Sequence, residues 1–304
     1  MRNSIRRTAI LPIIFAILAL LAPFTARAGA EKFAVVSDTH IGAPFHSAYP
    51  DIIRILDDEG IDTIVHTGDA VNDPGNTYEW ERFLEITGPG KTLYLAPGNH
   101  DIRGRWSLRT FLQFFDAPYS SFADGDTLLL FLCTEMPGEE SRIEGDQLAW
   151  LKTELARPFR YKLVFMHEPL FPALPHHGLD RHRPERDDLH RLFVQSGVSL
   201  VVAGHDHVYE RAVRDGIVYV ICGRAGGRSW PGKNGNSLGY MLAERTGDFY
   251  VLTVMDVNGT VRDRIEVVRA QARAQALGQG AGVPPPPGER PGEIAGEAGK
   301  VEAR

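Results

Sequence analysis

Seven side chains able to hold a metal ion sit where five apolar runs end: Asp38, His40, Asp69, Asn99, His167, His205 and His207. KFAVV leads to Ser37-Asp38-Thr39-His40, DTIVH to Thr67-Gly68-Asp69, and TLYLA to Pro97-Gly98-Asn99-His100-Asp101. YKLVFM leads to His167, and SLVVA to Gly204-His205-Asp206-His207. Oxygen and nitrogen donors without thiolate suit Fe, Mn, Zn or Co and argue against a closed, Cys-rich structural zinc site. Seven donors exceed what one ion takes, whereas two five- or six-coordinate ions sharing a carboxylate would use them all. Such a pair, about 3.5–4 Å apart, clamps both the attacking and the leaving oxygen of a phosphoryl displacement.

The runs are rich in β-branched and aromatic residues and read as buried strands. Each polar cluster therefore lies at a strand's carboxyl end, where open α/β sheets place their ligands, so distant segments can converge on one crevice. Helical spacing and end signals predict helices over Ala48–Glu59, Thr77–Thr87, Leu108–Phe115, Glu144–Ala156 and Pro184–Ser196, with Gly60 and Gly88 as stops. Strands without intervening helices are expected over Thr127–Cys133, Ile217–Gly223, Phe249–Asp256 and Thr260–Val268, with Asn258-Gly259 as a hairpin turn.

Singly, each motif is weak: Gly-Asp is more often a turn, and a lone His in an apolar run is more often a satisfied core residue. All five in order carry the inference. His66 lies inside its strand and reads as structural. His46 sits on a loop, where exposure is the plainer reading. Between Pro175 and His190, residues His176, His177, Arg181, His182, Arg183 and Arg186 admit two readings. They could overhang the crevice and hold phosphate, or form a solvated loop whose charge Asp180, Glu185, Asp187 and Asp188 offset. Arg103 and Arg105 are a second possible phosphate contact.

The ordered set D-x-H, G-D, G-N-H-D, a lone His and G-H-x-H resembles the calcineurin-like metallophosphoesterases from about Lys32 to about Val268. The continuation through Val208-Tyr209-Glu210-Arg211 is similar to bacterial relatives of the purple acid phosphatases. The resemblance implies a four-layer α-β-β-α sandwich with two facing mixed β-sheets. It implies that Asp38, His40, Asp69 and His207 hold one ion and Asp69, Asn99, His167 and His205 the other, with Asp69 bridging. The expected cofactors are two divalent or trivalent ions, Fe, Mn or Zn. Purple acid phosphatases carry a Tyr ligand shortly after the shared Asp; here Ala70, Val71 and Asn72 follow Asp69, so no purple chromophore is expected.

A water or hydroxide between the two ions, with its pKa lowered toward roughly 7, would be the nucleophile. His100 is assigned as general acid at the leaving group, with Asp101 as its orienting partner. A turn beginning at Gly204 is expected to splay His205 and His207 toward different ions, and Gly68 and Gly98 to let the backbone bend beside the metals. The expected activity is hydrolysis of small phosphate esters, monoesters favoured by the Tyr209-Glu210-Arg211 continuation. Phosphodiesterase, nucleotidase or pyrophosphatase activity on the same site is the alternative, as is a secreted, non-catalytic phosphate-ligand binding protein.

Arg2, Arg6 and Arg7 precede an apolar stretch from about Thr8 to Ala22, and Ala26-Arg27-Ala28 supplies small residues for cleavage. This reads as a signal peptide over 1–28, giving a periplasmic or secreted protein with no stable membrane insertion. Cleavage removes four arginines and no acids, taking the formal charge from −6 to −10, which disfavours a nucleic-acid partner. One metallophosphoesterase domain is expected over 29–269. The Gly-, Pro- and Ala-rich stretch 270–304 is expected to be disordered. Cys133 and Cys222 read as unpaired core residues, and nothing in the sequence sets the oligomeric state.

Overall fold

In the computed structural model, which describes residues 30–228 and 238–269, side-chain alternation along the strands builds two cores from one sheet. Along β1 (Lys32–Val36), Phe33 and Val35 point into a central cluster while Ala34 and Val36 join a separate one. The period of two in a strand makes this division automatic. The first sheet has the order β12-β11-β10-β1-β2-β3, with β2 at Thr63–His66, β3 at Thr92–Leu95, β10 at Gly239–Thr246, β11 at Phe249–Asp256 and β12 at Val261–Val268. Strands β1, β2 and β3 pair in parallel, while β10, β11 and β12 form an antiparallel meander joined to β1.

The second sheet, in the order β4-β5-β6-β7-β9-β8, comprises β4 (Ser120–Asp124), β5 (Thr127–Phe131), β6 (Tyr161–Phe165), β7 (Leu200–Ala203), β8 (Tyr209–Arg214) and β9 (Ile217–Cys222). Its central strands β5, β6, β7 and β9 are parallel, with β4 and β8 as antiparallel edges. Phe131, Leu163, Phe165, Val202 and Val220 meet Phe33, Val65, Met241 and Leu252 between the sheets. On the far side of the first sheet, α1 (Tyr49–Asp58), α2 (Thr77–Thr87) and α3 (Arg105–Phe111) bury Ile52, Trp80 and Phe111. On the far side of the second, α4 (Gly145–Leu155) and α5 (Arg183–Gln195) bury Leu151, Leu189 and Phe193. The architecture is the expected α-β-β-α sandwich.

Helix α2 has its expected limits because Asn76 caps it, accepting a hydrogen bond from Tyr78 N (3.1 Å), and Gly88 ends it. Helix α3 starts three residues earlier than expected, directly after Gly104, and Phe114 and Phe115 fall in the turn beyond its end. Both cysteines are buried and free. Residues 1–28 and 270–304, on which the signal-peptide and tail expectations fall, lie outside the described residues; among the described residues no helix is long and apolar enough to cross a membrane.

Candidate metal centre

Parallel pairing carries beyond the strands into the loops that bear the ligands. Asp38 N donates to Gly68 O (2.9 Å), His40 N to Asp69 O (3.0 Å) and Ile41 N to Ala70 O (3.0 Å), so the first two motifs are stitched side by side. Among the described residues, eight non-glycine positions have positive φ, and Asp38, His40, Asp69, His205 and His207 are five of them. Each left-handed turn redirects a side chain that an extended backbone would aim elsewhere, at a steric cost that the surrounding hydrogen bonds offset. The splay expected from Gly204 comes from the histidines, with φ 71° at His205 and 51° at His207. Gly204 is needed for closeness instead, since a Cβ there would lie 2.0 Å from Ser37 Oγ. Gly98 has the same role: its Cβ would stand 2.4 Å from Asp69 Oδ1.

All seven expected ligands meet at the carboxyl ends of β1, β2, β3, β6 and β7. One group consists of Asp38, His40, Asp69 and His207, another of Asp69, His167 and His205, and within each the donor atoms lie within 4.8 Å of one another. Asn99 adjoins the second group, its Oδ1 3.2 Å from His167 Nε2. The donor chemistry fits cations. His167 Nδ1 faces Thr67 O (2.8 Å), leaving Nε2 where Asp69 Oδ1 (3.3 Å), Asn99 Oδ1 and His205 Nδ1 (3.1 Å) converge. His207 Nδ1 faces Arg228 O (2.6 Å), directing Nε2 toward His40 Nε2 (3.2 Å) and Asp38 Oδ1 (3.3 Å). So many acceptors around one point need a proton or a cation between them. His205 Nε2 is buried and has no hydrogen-bond partner among the described residues.

The electrostatics agree. Burial alone would raise Asp38, but His207 beside it brings the carboxyl down to about 2. Burial likewise opposes ionisation of Asp69, and His167 outweighs it, holding Asp69 well below the usual carboxylate range. Burial pushes His40 and His205 down, so both stay neutral, the state in which an imidazole can ligate. His167 is raised although burial opposes it, because Asp69 holds a proton on its ring. A cation at that point of converging acceptors would take the place of such a proton.

The assignment of Asp101 as the orienting partner of His100 does not hold. Asp101 is fully buried and accepts from Ala70 N (2.9 Å), Val71 N (3.2 Å) and Gly98 N (2.9 Å), tying the second motif to the third. His100 Nδ1 donates instead to Asn72 O (2.7 Å), and its backbone N donates to Asp69 Oδ1 (2.8 Å). Consecutive side chains diverge here. Burial and the neighbouring Asp69 push the Asp101 carboxyl up to about 7.

Of the basic loop, one residue reaches the centre: His177 stacks on His205, centroids 4.2 Å apart, and its Nδ1 meets Asp206 Oδ1 at 2.5 Å. Arg181 ties the same loop to Ser141 Oγ (2.8 Å) and Glu168 Oε1 (3.2 Å). His46, Arg103 and Arg105 are exposed, and His66 is a buried structural residue bonded to Thr39 Oγ1 (3.1 Å) and accepting from Gly68 N (3.2 Å). Tyr209 and Arg211 turn away and bind Asp263 Oδ2 (2.6 and 3.1 Å), fastening β8 to β12 across the sheet edges. The loop 223–228 was not foreseen. Its Ala225 N donates to Ser37 O (2.8 Å), and Gly227 packs on His40 and His207. The signal was present as a sixth apolar run, Ile217–Cys222, ending in Gly223-Arg224-Ala225-Gly226-Gly227.

The sequence model of the calcineurin-like phosphoesterases matches residues 31–209. A phosphoenolpyruvate phosphatase of Allium cepa is 31% identical over 163 residues, 47% of this chain and 33% of that protein. A serine/threonine-protein phosphatase CPPED1 of Danio rerio is 29% identical over 54% of this chain and 59% of that protein. The chain thus spans a third to three fifths of these relatives. The purple acid phosphatase PPD1 from yellow lupin seeds superposes with a TM-score of 0.66 at 18% identity, over 81% of this chain and 55% of that one, and shares the fold.

Proposed function

The chain belongs to the calcineurin-like phosphoesterase family, and from that premise we propose that it hydrolyses small phosphate esters, monoesters in preference to diesters, at a two-metal centre. The observation that carries this reading is the sharing of Asp69 between two donor groups delivered by five strand ends. Asp38, His40, Asp69 and His207 would hold one ion, and Asp69, Asn99, His167 and His205 the other. When bound, Fe, Mn or Zn ions supply Lewis acidity that activates water and neutralises charge on the phosphoryl oxygens.

The protein's own groups do the rest. Thr67 and Arg228 carbonyls fix the His167 and His207 rings so that Nε2 faces inward. His100, anchored through Nδ1 to Asn72 O, carries on Nε2 the proton given to the leaving-group oxygen. Asp101 acts behind it, holding the two ligand loops together. With no Tyr following Asp69, the protein is expected to lack a purple chromophore. The monoester preference is supported by relatives named as phosphatases, one of them purple acid phosphatase 23 of Arabidopsis thaliana. A relative in Haemophilus influenzae is named as a 3',5'-cyclic adenosine monophosphate phosphodiesterase, and marks the competing outcome.

The test is an assay of the metal-loaded protein on p-nitrophenyl phosphate and bis(p-nitrophenyl) phosphate. Higher kcat/KM for the monoester is expected; the reverse order would make it a diesterase, and no turnover of either would leave a binding protein. Export rests on the charged, then apolar, then small-residue pattern of positions 1–28. Amino-terminal sequencing of the protein from cells should find Gly29 first, and a chain starting at Met1 would refute cleavage.

A further inference from the structure

At the end of the second sheet opposite the metal centre lies a cavity of about 440 Å³, lined by Arg157, Phe159, Arg160, Lys162, Gly197 and Arg269. Its floor is Lys162, which is 7% exposed and has no carboxylate partner among the described residues. Its ammonium donates to Leu155 O (2.6 Å) and Ser196 O (2.9 Å), the carbonyl ends of α4 and α5, and an ammonium has three donors. Arg160 binds Asp248 (3.0 Å). Arg157 binds Glu154 (2.6 Å) and lies over the Phe159 ring at 4.8 Å.

Capping two helices accounts for Lys162 alone. It does not account for three arginines around the same space. The carboxylates near these four cations are Glu154 (itself bonded to Ser121 Oγ), Asp126, already paired with Arg245, and Asp248, which is 79% exposed and screened by water. The two helix carbonyl ends are met by Lys162. A bound oxyanion would accept from the third donor of Lys162, which the two helix carbonyls leave unused, and would offset the burial that lowers the Lys162 pKa. The volume falls in the range of small-molecule sites, about 300–1,000 Å³.

We propose that this cavity is a second binding site, separate from the metal centre, for a phosphate-class oxyanion, either free or as the head group of a small molecule. Amide NMR spectra of the metal-loaded protein, titrated with inorganic phosphate and separately with an alkylphosphonate, locate the response. Saturable shifts of Phe159, Lys162 and Gly197 are expected. In Arg157→Gln/Arg160→Gln these should need about tenfold more ligand or more, since hydrogen bonds to charged groups contribute about 1.5–3 kcal/mol each. Turnover and the shifts near Asp69 should persist. Response to phosphate alone would identify the free ion, and tighter response to the phosphonate a larger molecule. Arg269→Glu, at the cavity rim, gives the same weakening with no change to Lys162 or the two ion pairs. Shifts confined to the metal centre, or shifts of equal midpoint in wild type and both variants, would overturn the proposal.

Discussion

In the first sheet, β1, β2 and β3 run parallel and each ends in a loop bearing expected ligands, whereas β10, β11 and β12 run as an antiparallel meander whose ends bear none. The meander strands are twice as long, eight residues against four or five, and bury Met241, Leu252 and Ile265 in the same core as Val35 and Val65. Direction makes the difference. Parallel crossovers return every strand with its carboxyl end at the same edge, so successive loops accumulate at one crevice; hairpins alternate ends and disperse their loops. The meander therefore contributes burial, and the parallel half contributes chemistry.

Substitutions on the two sides should separate these contributions. The largest effect is expected from Asp69→Asn, which replaces the shared carboxylate: metal analysis should show affinity lost for both ions together, with turnover falling to background. Two full equivalents retained would show that Asp69 does not bridge. His100→Ala should lower kcat by about 10²–10⁴-fold with metal content near normal. An unchanged rate would reject its role as acid. On the meander side, Leu252→Ala should cost about 2–5 kcal/mol of stability in denaturant unfolding, while kcat per folded molecule stays constant. A kcat loss without destabilisation would place chemistry where the fold places none.

The last contrast concerns His66, which joins the strand ladder to the ligand loops and acts on stability by degrees of pH rather than on turnover. Burial brings its pKa down to about 3 from 6.5, so between those values the unfolded chain binds more protons than the folded one. Stability should fall as pH drops through that window, by up to about 1.4 kcal/mol per pH unit from this group. His66→Gln should flatten that slope in pH-dependent melting; an unaltered slope would place the titration elsewhere.

The parallel half was legible because its signal is local: an apolar run and the polar residues that stop it are neighbours in sequence. Much of the meander was legible too, through the alternation of Phe249–Asp256 and the Asn258-Gly259 turn. Strands β4 and β8 were missed because edge strands with one wet face read as SSFAD and YERAVR, too polar to resemble the buried runs, and β10 was missed although it lies between β11 and β1, its GYMLAERT closing on charged and polar residues. Asp101 was misassigned because adjacency in sequence stood in for contact, although a buried carboxylate beside tight turns meets backbone N–H groups first. The stacking of His177 on His205 is a tertiary fact with no periodic trace, whereas loop 223–228 follows an apolar run like the other five but carries no ligand-type side chain to mark it. Tyr209 and Arg211, the continuation on which the monoester expectation rests, bind Asp263 across the sheet edges.

The measurement that bears most directly on the two-metal proposal is metal content per polypeptide, by mass spectrometry of the elements, in protein reconstituted with Mn, Zn or Fe and freed of excess. Two equivalents per chain, with phosphatase activity rising as the second is filled, is the predicted result. Saturation of both content and activity at a single equivalent would contradict the shared-carboxylate centre.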